Sequence, residues 1–229
     1  MKPSKNFLLA KTKPLRAQEL EDFYLSLKRY YGHQNWWPAK TKMEMILGAI
    51  LTQNTAWKNV EKAIVNLKKS KLIAPAALKK ISRSELARLI RPSGYFNVKA
   101  DRIKYFMDFL YRHYSGSLKK MFQEEGDVLR EKLLHVKGIG PETADCILLY
   151  AGGKPYFVID AYTRRVFSRH RWPLPVHGDY HHWQKSFALN LPQDPDLFND
   201  FHAQIVHLAK DFCRSKQAFC EICPVSKYL

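Results

Sequence analysis

The chain has 229 residues, 46% of them hydrophobic and 13% aromatic, which excludes a disordered polypeptide and suffices for one large or two modest domains. Lys and Arg number 38 against 21 Asp and Glu, so the formal net charge is +17, which favours a polyanionic partner such as nucleic acid. No apolar run approaches the roughly 18 residues of a membrane span, and the N-terminal apolar run is too short for a signal peptide, so we expect a cytoplasmic, nucleoid-associated protein with no membrane partner.

Hydrophobic periodicity predicts helices along most of the chain after a basic arm at residues 1–16. The segment 43–51 is apolar nearly all round, which predicts a buried central helix. Up to the Gly-Ile-Gly sequence at residues 138–140, the predicted helices span residues 17–31, 43–51, 56–69, 75–80, 84–90, 97–114, 118–122 and 128–136.

A Gly-Ile-Gly turn at residues 138–140 joins two predicted helices, and Pro141 suits the first position of the second one. The glycines allow a sharp turn and a close approach of the backbone. Free N–H groups at such a turn, followed by a helix N-terminus, form a site for an anion, and a nucleic-acid phosphate is the expected one. A tight helix connection without a ligand is the alternative.

A single carboxylate, Asp160, follows a short apolar run at residues 156–159 and precedes a basic helix predicted at 161–169. The acid could face a substrate, or it could cap the helix that starts at Ala161. Helices at 180–191 and 199–212 and a cysteine-bearing tail complete the chain. Because no other strand pattern occurs, the predicted fold class is all-α.

The segments LxxVKGIGPETAD and FVIDAYTRR together closely resemble the helix-hairpin-helix and catalytic-aspartate motif of the endonuclease III-like DNA glycosylase superfamily. The resemblance covers roughly residues 43–223. It implies a two-lobed fold with the cleft between a six-helix barrel, at 37–152, and a second helical lobe, at 1–36 plus 153–229. It further implies that Asp160 is the catalytic carboxylate.

The resemblance also implies that the hairpin contacts the backbone of double-stranded DNA and that Gln53, or a neighbour, fills the gap left by an extruded nucleotide. We expect the protein to act as a monomer. The residues expected to bind DNA are Gln53, Lys137, Gly138, Ile139, Gly140 and Thr143. Further plausible phosphate contacts are Lys99, Arg102, Arg164 and Arg165.

Glu142 departs from one branch of the family. Bifunctional members, which cut DNA after removing the base, carry at this hairpin position a lysine whose amine attacks C1′ to form a Schiff base. Glu142 cannot form one, and Lys137 and Lys154 do not stand at the matching position. The sequence therefore favours a monofunctional glycosylase in which Asp160 activates water, although Glu142 could also be only an acid favoured by the helix dipole.

Two adjacent tryptophans and a proline, Trp36, Trp37 and Pro38, precede the LTQNT segment, and Trp57 follows it. This arrangement resembles the bacterial endonuclease III-type 3-methyladenine DNA glycosylases, in which an aromatic pocket holds alkylated purines. A cationic methylated base stacks well on electron-rich rings, and Glu142 could complement its charge. The alternative is that the tryptophans are core residues.

The tail carries Cys213, Cys220 and Cys223, with six and then two residues between them. This spacing resembles three of the four ligands of the family's [4Fe–4S] cluster, and the fourth position is Leu229, the last residue. The cluster could be lost, another ligand could substitute, or the chain could end one residue short. Some methyladenine members lack the cluster, and hydrolysis needs no cofactor.

These inferences together predict a base-excision repair glycosylase that hydrolyses the N-glycosidic bond of alkylated purines such as 3-methyladenine. The first alternative is a bifunctional endonuclease III acting on oxidised pyrimidines, which Glu142 opposes. The second, from another class, is a non-catalytic DNA-binding module.

Overall fold

Helices form almost all of the regular structure in the computed structural model, which describes residues 17–34, 36, 39–170, 172 and 178–229. No β-strand occurs in these ranges, so the predicted all-α class is confirmed. The helices are α1 (Ala17–Tyr31), α2 (Lys42–Leu51), α3 (Trp57–Lys69), α4 (Pro75–Lys80), α5 (Arg83–Leu89), α6 (Phe96–Tyr114), α7 (Leu118–Gln123), α8 (Gly126–Leu134), α9 (Pro141–Cys146), α10 (Ala161–Arg169), α11 (Tyr180–Asn190) and α12 (Pro195–Asp211).

The start of α12 differs most from the periodicity prediction, since the helix begins at Pro195 rather than at residue 199. Asp194 caps it by accepting a hydrogen bond from the N–H of Asp196. Proline fits the first turn because the N–H that it lacks would have no acceptor there. The apolar period alone misses this turn, because the first buried residue of the helix is Phe198.

The helices pack in two groups, in agreement with the two-lobed arrangement that the sequence resemblance implies. In one group α2 is the central helix and contacts α3, α6 and α9, while α6 also packs against α4, α5 and α7. In the other group α12 packs against α1 and α10, and α1 contacts α11. The boundary of the first lobe at residues 37–152 stays a prediction. Among the described helices, none combines the length and the apolar character that crossing a membrane requires.

A wider helical turn continues α9 over Ile147–Ala151 and joins the two groups, because it contacts both α2 and α12. All five of its residues are buried. Such π-type turns are rare and are found mostly at functional sites. Here the turn places the side chain of Tyr150 against α12.

The apolar run before Asp160 is extended but pairs with no strand. Phe157, Val158 and Ile159 are each at most 1% exposed. The ring of Phe157 stacks on Phe187 of α11 with 4.4 Å between centroids. This packing fixes the backbone immediately before Asp160, so the position of the carboxylate is set by a buried segment rather than by a surface loop.

Candidate active site

Asp160 is the N-cap of α10 and is held by two hydrogen bonds to one of its oxygens. Oδ1 accepts from the backbone N–H of Thr163 at 2.7 Å and from its hydroxyl at 3.0 Å. Thr163 is fully buried, so these donors are fixed in place. The two interpretations of Asp160 are therefore compatible: one oxygen caps the helix, and Oδ2 remains for other partners.

His202 of α12 lies against that second oxygen, with 3.5 Å between Nε2 and Oδ2 of Asp160. Its other ring nitrogen, Nδ1, lies 2.7 Å from the hydroxyl of Tyr150. Burial by itself would raise the pKa of Asp160, but His202 and the two donors of Thr163 outweigh it and lower the pKa below its usual range. Asp160 is thus an ionised carboxylate at neutral pH.

Glu142 lies in the first turn of α9 and close enough to Asp160 for their charges to interact. Its side chain is exposed at the surface, but neighbouring groups remove part of its solvation. This desolvation, and then the charge of Asp160, raise the pKa of Glu142 against the opposing effects of His202 and Arg164. The site therefore contains two neighbouring carboxyl groups with opposite pKa shifts, an arrangement typical of acid–base sites.

Trp36, a member of the predicted aromatic pocket, lies near the residues that surround Asp160. It is half-buried and approaches the side chain of Tyr150. The ammonium of Lys210 lies 5.9 Å from the centroid of its ring. Trp36 thereby lies next to Tyr150, which contacts His202, and His202 lies against Asp160.

The other members of the predicted pocket are less directly tied to Asp160. Trp57 lies at the start of α3, is partly buried, and donates its indole N–H to Glu61 on the next turn at 2.9 Å. Trp37 and Pro38 lie outside the described residues.

The turn at residues 138–140 joins α8 to α9, as predicted, but its two glycines differ in backbone conformation and surroundings. Gly138 has a φ of +86°, whereas Gly140 has a φ of −89° and caps α9 with open space around the position of a Cβ. Ile139 is 4% exposed and its N–H donates to the carbonyl of Val136 at 2.9 Å. Its side chain and N–H are therefore occupied, in contrast to the DNA contact expected of this residue. The exposed backbone of Gly138 and Gly140 and the exposed side chain of Lys137 remain as contacts for an anion.

Gln53 braces the hairpin instead of projecting from the surface. Its amide donates to the carbonyl of Gly138 at 3.1 Å and to the hydroxyl of the buried Thr143 at 2.8 Å, and its carbonyl accepts from Arg102. The next residue, Asn54, is exposed and has a φ of +52°. Asn54 is therefore the more exposed of the two residues at this turn.

All four additional cations suggested as phosphate contacts donate hydrogen bonds within the protein, and Arg102 donates to Gln53 as described above. Lys99 is 1% exposed and donates to the carbonyls of Leu51 and Ser93 at 2.8 and 2.6 Å. Arg164 donates to the carbonyl of Gly178, and Arg165 donates to backbone carbonyls at the end of α12. Basic composition alone could not separate these internal cations from the surface ones.

The cysteines of the tail line a small cavity with Leu229. The sulfur of Cys213 accepts a hydrogen bond from Arg169 at 3.4 Å. In the ranges that the structure describes, no group of three or more His, Cys, Asp or Glu residues could hold a metal ion. Three thiols with Leu229 beside them do not fit a four-thiolate [4Fe–4S] cluster.

A larger cavity of about 450 Å³ lies elsewhere, between α8, α11 and residues 154–156. It is lined by polar and charged side chains such as Arg130, Lys154 and Gln184 and contains neither Asp160 nor the hairpin. Cavity size alone does not mark the site, because a groove that accepts a duplex and an extruded base is open to solvent.

His202 and Tyr150 are the functional candidates that sequence reasoning missed. His202 is a polar residue on the buried face of α12, between Phe198 and Ile205, and Tyr150 ends an apolar run. A histidine within an apolar helical stripe is a detectable signal, but the sequence does not reveal which group it faces.

The chain is similar to known DNA repair proteins in sequence and in structure. The family described as "HhH-GPD superfamily base excision DNA repair protein" matches residues 47–185. The Methanocaldococcus jannaschii protein named "Putative DNA repair glycosylase MJ1434" is 45% identical over 207 residues, which cover 90% of this chain and 93% of that protein.

Two further proteins are similar over most of their length. The thymine/uracil-DNA glycosylase of Pyrobaculum aerophilum is 27% identical over 218 residues, covering 91% of this chain and 89% of its own. The crystal structure of the H. pylori 3-methyladenine DNA glycosylase MagIII bound to 1,N6-ethenoadenine superposes with a TM-score of 0.72 and 31% identity, covering 86% of this chain and 98% of that one.

Proposed function

The chain belongs to the HhH-GPD superfamily of base excision DNA repair proteins and is a DNA glycosylase, and on this premise we propose that it removes alkylated purines by hydrolysis without cutting the DNA strand. The observation that carries the proposal is the pair of carboxyl groups in the cleft. Asp160 is kept ionised by its neighbours, and Glu142 stands at the hairpin position where a lyase needs an amine.

Asp160 supplies the chemistry of bond cleavage. As the N-glycosidic bond lengthens, positive charge develops at C1′, and an adjacent carboxylate stabilises it. Water then attacks C1′ and passes a proton to Asp160, while the base leaves with the electron pair of the broken bond. Since no protein atom bonds to the sugar, the product is an abasic site with an intact strand.

The cleft suits a base that carries positive charge. A 3-alkylated adenine is cationic until its bond breaks, and leaving neutralises it, so the reaction needs no strong general acid. Glu142 and Asp160 place negative potential in the cleft of an otherwise basic protein, and Trp36 offers a ring against which a base can stack. The relative from H. pylori, bound to 1,N6-ethenoadenine, supports a modified adenine as the substrate class.

The hairpin provides the anchorage on double-stranded DNA. The exposed backbone at Gly138 and Gly140 can approach a phosphate, with Lys137 beside it, while Gln53 keeps the turn rigid. Asn54 projects from the adjacent turn, where it can enter the stack when a nucleotide is extruded. We expect one copy of the chain to act on one lesion.

A panel of duplexes tests this function. Each duplex carries 3-methyladenine, 1,N6-ethenoadenine, thymine opposite guanine, thymine glycol or an abasic site, and strand breaks are scored with and without alkali. We expect release of the alkylated adenines, with breaks only after alkali. Breaks at thymine glycol without alkali would instead support a bifunctional endonuclease III, and release of mispaired thymine alone would shift the substrate to pyrimidine mismatches.

The variant Asp160→Asn distinguishes an enzyme from a DNA-binding module. The amide cannot accept a proton from water or stabilise the sugar cation as a carboxylate does. We expect base release to fall by at least about 100-fold, with duplex binding retained. Unchanged base release in this variant would show that Asp160 is not the catalytic group.

A further inference from the structure

His202 is a buried ionisable residue to which the hydrolysis described above assigns no role. It is 5% exposed, and Nε2 has no hydrogen-bond partner within normal distance in the described part of the chain. The polar group that Nε2 faces is Oδ2 of Asp160, at 3.5 Å. A buried nitrogen without a close hydrogen-bond partner costs free energy of folding. A nitrogen of this kind beside Asp160 is therefore a candidate for a functional role.

The contact of Tyr150 with Nδ1 bears on which nitrogen of His202 carries the hydrogen. Its hydroxyl lies 2.7 Å from Nδ1. Burial raises the pKa of Tyr150 far above its usual value, so the hydroxyl stays protonated and can donate. When Tyr150 donates to Nδ1, the hydrogen of the neutral ring lies on Nε2 and points at Asp160.

The two oxygens of Asp160 consequently have different partners. Oδ1 is held from α10 by both donors of Thr163, and in the described part of the chain Oδ2 is approached from α12 by His202. Oδ2 is the oxygen left to accept a proton from water. Its direction depends on the rotation of the carboxyl group, which Thr163 restrains on one side and His202 on the other.

From this geometry we infer that His202, oriented by Tyr150, is a positioning residue that aims Oδ2 of Asp160 at the reacting water. The inference rests on the proposed catalytic role of Asp160. It adds that α12 of the second lobe, and not only the cap of α10, sets the geometry of the nucleophilic step. Through Tyr150 the same contacts extend to Trp36 in the wall of the base pocket.

Two amide substitutions separate this role from simple packing. In His202→Gln the side-chain nitrogen can take the place of Nε2 and still donate to Asp160. In His202→Asn it can take only the place of Nδ1 and reaches Tyr150 instead. We expect single-turnover base release to stay within about 5-fold of wild type in the Gln variant and to fall roughly 10- to 100-fold in the Asn variant.

The pH dependence gives a second readout that packing would not move. The titratable groups near Asp160 are Glu142 and Cys146 on α9, Tyr150 after α9 and His202 on α12, and the charge of Arg164 on α10 acts on Glu142. Loss of the Nε2 donor destabilises the ionised carboxylate and raises its pKa. The acid limb of the rate profile should therefore move to higher pH in His202→Asn and move less in His202→Gln.

The outcomes distinguish this inference from the proposed function. Equal losses in the two amide variants, with an unmoved acid limb, would overturn the positioning role while an inactive Asp160→Asn left the function in place. Equal base release by wild type and Asp160→Asn would overturn both. Independently of activity, nitrogen NMR of the imidazole should show the hydrogen of His202 on Nε2, and a hydrogen on Nδ1 would contradict the inference.

Discussion

At the scale of single residues, the identity of the side chain at position 142 separates two reaction types. An amine there could attack C1′ and hold the sugar covalently, whereas the carboxyl group of Glu142 can only act through its charge or its proton. Desolvation, and then the charge of the ionised Asp160, raise the pKa of Glu142, so it keeps its proton to higher pH than in water. The proposed hydrolysis needs only this pair of carboxyl groups and no covalent intermediate.

Substitution of Glu142 by lysine tests that separation. In Glu142→Lys an amine stands at the hairpin position beside Asp160, which can assist its attack on C1′. We expect the variant to gain a borohydride-trappable covalent complex with DNA carrying an abasic site, which wild type does not form. The matched variant Glu142→Gln removes the charge without adding an amine and should form no such complex. Trapping in the Gln variant would mean that another lysine reacts.

Lys99 is the buried cation that holds the turn before α3. Its ammonium donates to the carbonyls of Leu51 and Ser93 and to the hydroxyl of Thr55. In Lys99→Met these acceptors lose their donor in a buried site, so the free energy of unfolding should fall by about 2 kcal/mol. Denaturant unfolding measures the change, and the exposed Lys62→Met is the control, for which we expect less than about 0.5 kcal/mol.

At the scale of elements, the hairpin between α8 and α9 is rigid on its inner side and open on its outer side. Gln53 and Arg102 pack against Gly138, where an added Cβ would lie 2.4 Å from a side-chain carbon of Arg102. Apart from its chain neighbours, no described residue lies within 4 Å of a Cβ added at Gly140. The inner glycine is therefore needed by the fold, and the outer one leaves space for a ligand.

Alanine substitutions at the two glycines should therefore have different effects. Gly138→Ala combines a φ of +86° with a steric overlap, so we expect a loss of roughly 1–3 kcal/mol in the free energy of unfolding. Gly140→Ala should leave stability within about 0.5 kcal/mol, because α9 gains no clash. If the backbone at Gly140 approaches a phosphate, its new methyl group should nevertheless weaken duplex binding several-fold. Undiminished binding by this variant would place the phosphate contact elsewhere.

At the scale of the whole molecule, the formal net charge of +17 governs the encounter with DNA. Cations that neutralise phosphates release counterions, so affinity falls steeply as salt is added. Only cations that face solvent take part, and Lys99, Arg164 and Arg165 are held by carbonyls of the protein itself. The electrostatic footprint on DNA is accordingly smaller than the composition suggests.

Salt titration of duplex binding measures this footprint. We expect the logarithm of affinity to fall with the logarithm of salt concentration with a slope of about −4 to −6, which corresponds to roughly five to seven neutralised phosphates. Lys137→Gln at the hairpin should reduce the slope by about 1. Lys69→Gln is the control, because this residue ends α3, roughly 20 Å along the helix from the turn that carries Gln53. A slope unaltered by Lys137→Gln would remove this lysine from the interface.

The helices, the hairpin and the position of Asp160 could be predicted from the sequence because each depends on local chemistry. Apolar periodicity indicates the helices, and Pro141 marks the start of α9. An acid directly before Ala161 can cap the helix that begins there, whatever the tertiary fold. The contacts of Gln53, Ile139 and Lys99 could not be predicted. The sequence near a turn does not show whether a side chain points toward solvent or toward the protein interior. Their directions depend on neighbours far away in sequence.

By itself, the sequence determined the family, the all-α fold and the absence of an amine at position 142, because motif spacing, helical period and residue identity are properties of the chain. Only the tertiary structure decided that His202 of α12 meets Asp160, 42 residues away along the chain, and that Tyr150 after α9 meets His202, 52 residues away. The packing of the π-type turn against α12 brings these groups together. Such a contact has no local signature, because it arises when two apolar surfaces are buried against each other and their few polar groups must find partners.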